Sequence, residues 1–288
     1  MIQRLFAATP DVDGTLVFVG HVNGLSLDTH AYIGACQFLF RQLARGAAMP
    51  HSFAAYLASI DDRASAGKSH DDGFRMLLQQ MDAAGLRVPV TRQRELLRSF
   101  TCHYDDIVCE QIARVSRPRD AVLNVVRALH EHIPLMPVSN SGARVVSANL
   151  ALCQIDEDHT VGVITADDIN PHKPNPDMYE TAFYDMLETY GGAQFDLTLL
   201  CFEDSITGLT AALEAETHLR ANGYKQPIDV FALPHDRATW AGMKNLMRQY
   251  SGVSAILFDP EHDHSSQHVQ QALLSRVQQA TGLPLAVG

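Results

Sequence analysis

Two carboxylates, Asp11 and Asp13, stand two residues apart in Asp11-Val12-Asp13-Gly14-Thr15-Leu16, directly after an apolar stretch that reads as a strand. In a straight strand, side chains two apart share a face but are separated by nearly two residues' rise. A strand that breaks into a turn at Gly14 lets both reach one point. Such a pair suits covalent and acid–base chemistry, one acid attacking and the other moving protons. A calcium loop does not fit: with Asp11 and Asp13 as its third and fifth positions, Gly20 would stand where the bidentate acid belongs. A plain solvated turn is also compatible with this motif taken alone.

Three more motifs follow in order. Val138-Ser139-Asn140-Ser141-Gly142 joins an apolar run to a helical stretch. A small hydroxyl and free N–H groups at such a junction make a phosphate cradle, although Ser-Asn is also an ordinary N-cap. Lys173 sits in Asn170-Pro171-His172-Lys173-Pro174-Asn175-Pro176-Asp177, where prolines stiffen the backbone around one ammonium. A lysine so held suits a fixed phosphoryl oxygen; without the other motifs it is a surface-turn lysine. Glu203 and Asp204 follow an apolar run and open a helix, in Phe202-Glu203-Asp204-Ser205 with Gly208 beyond. Adjacent acids there compensate a helix dipole, and they also offer the oxygen ligands a hard divalent cation takes.

The elements that must position these groups alternate, which predicts an α/β fold with a mainly parallel sheet. Strands are expected at Gln3–Ala8, Ile133–Val138, Val161–Thr165, Leu197–Phe202, Val230–Leu233 and Ala255–Phe258. Helices are expected between them, at Arg119–His132, Gly142–Cys153, Pro176–Tyr190, Ser205–Ala221, Arg237–Tyr250 and Ser266–Thr281. Each motif then falls at the carboxyl end of a strand or in the loop that follows, where doubly wound sheets assemble their sites. One stretch breaks the rhythm. Asp28–Ala44, Ser52–Ala64, His70–Ala84 and Thr91–Arg114 carry apolar residues at three- and four-residue spacing. This predicts an all-helical domain over 21–114, inserted into a core formed by 1–20 and 115–288.

The 288 residues carry a net charge of −11, which argues against a nucleic-acid or anionic-membrane binder. A small anionic substrate is still compatible, because a metal and one lysine reverse the sign of a local site. No apolar run is long enough to span a membrane and no secretory signal is visible, so a cytoplasmic protein is expected. The five cysteines are not at zinc-site spacing and are expected to be reduced thiols. His262, His264 and His268, in acidic company, fit a solvated loop better than a metal site.

Taken as an ordered set, the motifs resemble the haloacid dehalogenase superfamily, in its β-phosphoglucomutase-like and phosphoglycolate-phosphatase-like branch. Asp-Val-Asp-Gly-Thr-Leu at 11–16 looks like the first motif, Val138–Gly142 the second, His172–Tyr179 the lysine motif, and Phe202–Ala212 the metal motif. Pro118-Arg119-Asp120, Ala66–Ser69 and Val230–Pro234 agree with smaller family features. The resemblance covers nearly the whole chain. It implies a Rossmann-like parallel sheet core with a helical cap, and Mg²⁺-dependent hydrolysis of a small phosphorylated metabolite. Asp11 would be the nucleophile, and Asp13 the acid that protonates the leaving oxygen and then activates water. Mg²⁺ would be held by the Asp11 carboxylate, the Asp13 main-chain carbonyl and Asp204, with Glu203 as a further ligand. Ser139 and Lys173 would hold phosphoryl oxygens, with Asn140 in support. Lys68 and His30 are cap candidates for touching substrate. Dehalogenases of this family generally lack the acid found here at Asp13.

Two features depart from the family pattern. Pro10 precedes the nucleophile and removes a sheet donor. Phe18–Ser26 intervenes before Leu27-Asp28-Thr29-His30, which looks like the delayed start of the cap. A phosphomutase must exclude water with a tightly closing cap. The extra residues near the hinge argue for a phosphatase instead. A ligand-binding protein without turnover is the third alternative, and only Pro10 supports it.

Overall fold

The computed structural model describes residues 3–44, 48–61, 70–191, 195–250, 252–259 and 267–286. The chain divides into two compact units, Met1–Phe18 with Pro118–Gly288, and Val19–Arg117.

The first unit is built on four parallel strands in the order β1 (Gln3–Pro10), β6 (Phe195–Glu203), β7 (Ile228–Ala232) and β8 (Ser254–Leu257), the two-residue strands β2 (Val17–Phe18), β3 (His21–Val22), β4 (Leu25–Ser26) and β5 (Arg117–Pro118) falling between β1 and β6 in the chain. The register runs from Gln3 opposite Phe195 to Pro10 opposite Phe202, and from Leu199 opposite Ile228 to Glu203 opposite Ala232. Alternate residues point to opposite faces. Phe6, Ala8, Leu200, Phe202 and Phe231 join the apolar cluster on one face. Helices α5 (Asp120–His130), α6 (Ala143–Leu152) and α10 (Gln267–Thr281) contribute to that cluster. Ala7, Leu197, Leu199, Cys201 and Val230 join the other cluster, with α7 (Asp177–Met186), α8 (Ile206–Ala221) and α9 (Arg237–Met247). Strands buried on both faces read as continuous apolar runs, as these do.

The expected strand Ile133–Val138 is present only as isolated parallel bridges, Ala8 to Leu135 and Val138 to Ile164. It still lies along β1: Ala8 N–H donates to Pro134 O (2.9 Å), Met136 N–H to Ala8 O (2.8 Å) and Val138 N–H to Pro10 O (3.0 Å). Pro134 and Pro137 have no N–H, so a continuous ladder cannot form. The expected strand Val161–Thr165 likewise reduces to the bridge at Ile164. Pro10 costs one donor on the edge that faces Met136, where Val138 N–H still reaches Pro10 O; the opposite edge is unaffected, since Asp11 N–H donates to Phe202 O at 2.9 Å.

Several helix bounds shift by a few residues from expectation. The long stretch predicted to run to Tyr190 ends as α-helix at Met186 and continues as a π-helical turn, Leu187–Gly191.

The second unit holds α1 (Leu27–Ala44), α2 (His51–Ser59), α3 (His70–Ala83) and α4 (Val90–Val115). Tyr32, Leu39, Phe53, Phe74, Leu77, Met81 and Phe100 form its core. The extra residues before α1 make a small hairpin, His21–Val22 against Leu25–Ser26. It turns through Asn23 (φ 54°) and Gly24 (φ 83°). Two positive φ angles in a two-residue loop are what an Asn-Gly hairpin turn requires. Among the described residues no helix is long and apolar enough to cross a membrane.

Candidate active site

The carboxyl ends of β1, β6 and the Leu135–Val138 segment bring most of the motif residues together. Asp11 leaves the end of β1 and is 7% exposed; Asp204 leaves the end of β6 and is 8% exposed. Between Asp11 and Glu203 stands Lys173, 4% exposed. Its Nζ donates to Asp11 Oδ1 (2.9 Å), Glu203 Oε1 (2.7 Å) and Val138 O (2.8 Å). The ammonium therefore makes three hydrogen bonds, two of them charge-assisted.

Asn140 reaches the site through this lysine. Its Nδ2 donates to Lys173 O (3.0 Å) and its Oδ1 accepts from Lys173 N–H (2.9 Å). Both ends of the amide are thus spent on fixing the lysine loop. Ser139 is buried and its hydroxyl donates to Asp13 Oδ2 at 3.2 Å.

The charges do not balance. One ammonium faces Asp11 and Glu203, with Asp204 beside them. Asp11 is pushed well above the usual carboxylate range, first by burial; Lys173 pulls it down, while Glu203 and Asp204 push it up. Burial raises Glu203 as well, against the pull of Lys173. Burial alone would lower Lys173, but Asp11 and Glu203 outweigh it and the lysine is held above its ordinary value. Asp13 is raised by burial, against hydrogen bonds from Ser141 and Ser139. A surplus of buried carboxylate is the electrostatic setting in which a cation binds. Asp11, Glu203 and Asp204 each offer a ligand atom within 4.8 Å of the others. Glu203 gives one oxygen to Lys173 and to the Tyr179 hydroxyl, while its Oε2 has no hydrogen-bond partner. The donor set fits a hard divalent cation such as Mg²⁺.

Two glycines make room for these acids. At Gly14 (φ +84°) a Cβ would lie 2.1 Å from Asp204 Oδ2. At Gly208 a Cβ would lie 1.8 Å from Glu203 Oε2, and Lys173 and Tyr179 hold that side chain in place. Gly208→Ala is therefore expected to cost roughly 1–3 kcal/mol of stability by overpacking. Equilibrium unfolding in urea measures it, and a midpoint equal to that of the wild type would show that Glu203 moves freely.

Several residues of the site were not singled out by their motifs. Asn149, 2% exposed on α6, donates to Asp13 Oδ1 while its own Oδ1 is unpartnered. The Tyr179 ring lies 4.9 Å from the Lys173 ammonium. Arg119, fully buried, donates from Nη1 to Gly14 O (2.6 Å) and Leu233 O (3.3 Å), tying the first motif to the end of β7. Thr15 Oγ1 donates to Asp204 Oδ1 at 3.3 Å. Of the cap candidates, His30 is half-buried on α1 of the second unit, and Lys68 lies outside the described residues, as do His262 and His264.

No family model matches the sequence, and no curated protein matches it. Solved structures do. CbbY from Rhodobacter sphaeroides, in complex with phosphate, superposes with a TM-score of 0.52 at 16% identity, over 89% of this chain and 94% of that one. A haloacid dehalogenase-like protein from Bacteroides fragilis gives 0.53 at 14%, over 90% and 99%. A haloacid dehalogenase-like family hydrolase from Streptococcus pneumoniae gives 0.52 at 14%, over 95% and 99%.

Proposed function

With the fold of haloacid dehalogenase-like proteins as the premise, we propose that this chain belongs to that superfamily and hydrolyses a small phosphomonoester with Mg²⁺, through an aspartyl-phosphate on Asp11. The observation that carries this reading is the triple contact of Lys173. One ammonium fixes Asp11 and Glu203 in a buried pocket beside a second acid pair, Asp204 and Asp13.

Lys173 takes Asp11 Oδ1, which leaves Oδ2 as the attacking oxygen. Attack on phosphorus breaks the bond to the substrate's ester oxygen. Asp13, kept protonated more readily by its burial, donates a proton to that leaving oxygen. The resulting Asp13 carboxylate then accepts a proton from water as the water attacks phosphorus, and Asp11 is released. Lys173 and the Ser139 hydroxyl would serve the phosphoryl oxygens by exchanging acceptors, Lys173 giving up one of its three and Ser139 its bond to Asp13 Oδ2. Mg²⁺ held by Asp11, Asp204 and the Asp13 carbonyl would offset the repulsion between the nucleophile and its anionic substrate. Asp13 supports phosphotransfer over dehalogenation. The five free cysteines support a reducing, cytoplasmic setting.

Phosphate release from a panel of phosphorylated metabolites tests the proposal. It requires turnover with Mg²⁺ that stops on adding EDTA. Asp204→Ala is expected to raise the Mg²⁺ concentration for half-activation by more than ~10-fold, a loss at least as large as that from removing a ligand's outer partner. Identical Mg²⁺ activation curves for mutant and wild type would remove Asp204 from the metal site.

A further inference from the structure

The end of β7 runs into Leu233-Pro234-His235-Asp236, and the chemistry described so far makes no use of the histidine. Its place is nonetheless closely determined. Upstream, Leu233 N–H donates to Glu203 O at 2.6 Å and Leu233 O accepts from Arg119. Downstream, Asp236 caps α9, accepting from Ala238 N–H (2.7 Å) and Thr239 N–H (2.8 Å). The imidazole lies against Phe18 with ring centroids 5.6 Å apart, and the Arg119 guanidinium lies 5.2 Å from the same ring. So seated, His235 Nε2 comes to 2.6 Å from Asp204 Oδ2.

Asp204 is thereby surrounded. Thr15 donates to its Oδ1, its Oδ2 fills the space that a Cβ at Gly14 would take, and His235 approaches that same Oδ2. His235 is not part of the group whose ligand atoms lie within 4.8 Å of one another. It touches Asp204 without joining that group, as a side chain does that governs the orientation of a ligand without being one.

We propose that His235 is a positioning residue for Asp204, fixing the rotation of that carboxylate so that it is presented to a divalent cation shared with Asp11. The inference rests on the assignment of Asp11 and Asp204 as metal ligands. The physical reason is that a carboxylate ligand free to rotate must be ordered when the ion arrives, whereas one already held binds without that cost. Outer-shell partners of metal ligands typically contribute ~10–100-fold to metal affinity.

Mn²⁺ is a suitable probe, because the paramagnetic resonance signal of the free ion is lost on binding and the Kd is read without turnover. All variants are compared in one buffer, with melting of the metal-free proteins as the check on folding. His235→Phe keeps a ring against Phe18 and removes the nitrogen. His235→Ala, at a side chain 32% exposed, removes both. Each is expected to bind Mn²⁺ about 10-fold more weakly or worse. His235→Gln, which restores an N–H at similar reach, is expected to recover most of the loss. Binding by His235→Phe or His235→Ala that equals or exceeds that of the wild type overturns the proposal, as does a His235→Gln variant as weak as His235→Phe. Asp204→Ala separates the two levels of the argument. If it also binds Mn²⁺ like the wild type, the metal assignment itself is wrong; if it loses the ion while His235→Phe and His235→Ala do not, only the role of His235 falls.

Discussion

Lys173→Met is expected to remove nearly all phosphate release and, in EDTA, to destabilise the protein by about 3–5 kcal/mol at neutral pH. The activity loss follows from removing the charge-assisted donor that fixes Asp11 through Oδ1; losing one such preorganised donor costs ~10²–10³ in rate. The stability loss follows from burial. A surface-turn lysine would belong to the weak, exposed class of ion pairs. The structure places Lys173 at 4% exposure between Asp11 and Glu203, where removing one partner strands the other charges. The pH dependence has a definite sign. Asp11 and Glu203 already titrate above their ordinary range, and without the ammonium they rise further. A carboxyl raised in the folded state keeps its contribution below its unfolded pKa and loses it as pH rises through the folded value. The gap between wild type and mutant should therefore narrow as pH falls. Thermal melting of both proteins in EDTA across a pH series measures it. A constant gap would mean that the lysine does not face ionised carboxylates.

Asp11→Asn is expected to lower turnover on the order of 10⁴-fold or more, the scale on which enzymes lose rate when a covalent nucleophile is deleted. The amide keeps the carboxylate's volume, so the packing at the end of β1 survives. In the metal-free protein the substitution loses the pairing with Lys173 but also relieves repulsion from Glu203 and Asp204. The net change in melting temperature in EDTA should be smaller than that of Lys173→Met. Steady-state phosphate release and melting of the two variants side by side make the comparison. A variant retaining a tenth of the wild-type rate would contradict a covalent role for Asp11.

Much of the fold is legible in the chain because buried parallel strands announce themselves as apolar runs, as at Leu197–Phe202 and Val230–Leu233. Ile133–Val138 carries the same signal but also Pro134 and Pro137, and the missing donors decide the outcome. The stretch Phe18–Ser26 reads from sequence as an unexplained insertion. Its Asn23-Gly24 pair is a strong hairpin signal, and the hairpin His21–Ser26 is what that signal encodes. In the site, local motifs give Asp11, Asp13, Ser139, Lys173, Glu203 and Asp204 as candidates, since each lies at a strand's end or in the loop that follows. The residues that hold them are joined only by tertiary contacts. Asn149 and Asp13 are 136 positions apart. Arg119 looks like any basic residue before a helix until its guanidinium is found spanning Gly14 and Leu233. Asn149 lies outside every motif and still leaves a trace: an amide between Val146 and Leu150 on the buried face of α6 has no packing reason to be there.

The central claim is the covalent intermediate, and the most direct measurement is to trap it. The wild type is mixed with ³²P-labelled acetyl phosphate and Mg²⁺, quenched in acid within the first turnover, and digested for mass spectrometry. The account predicts a label that survives acid, is released by hydroxylamine as an acyl phosphate must be, maps to Asp11, and is absent from Asp11→Asn. Label on another residue, or phosphate release by the wild type with no labelled protein at any quench time, would contradict it.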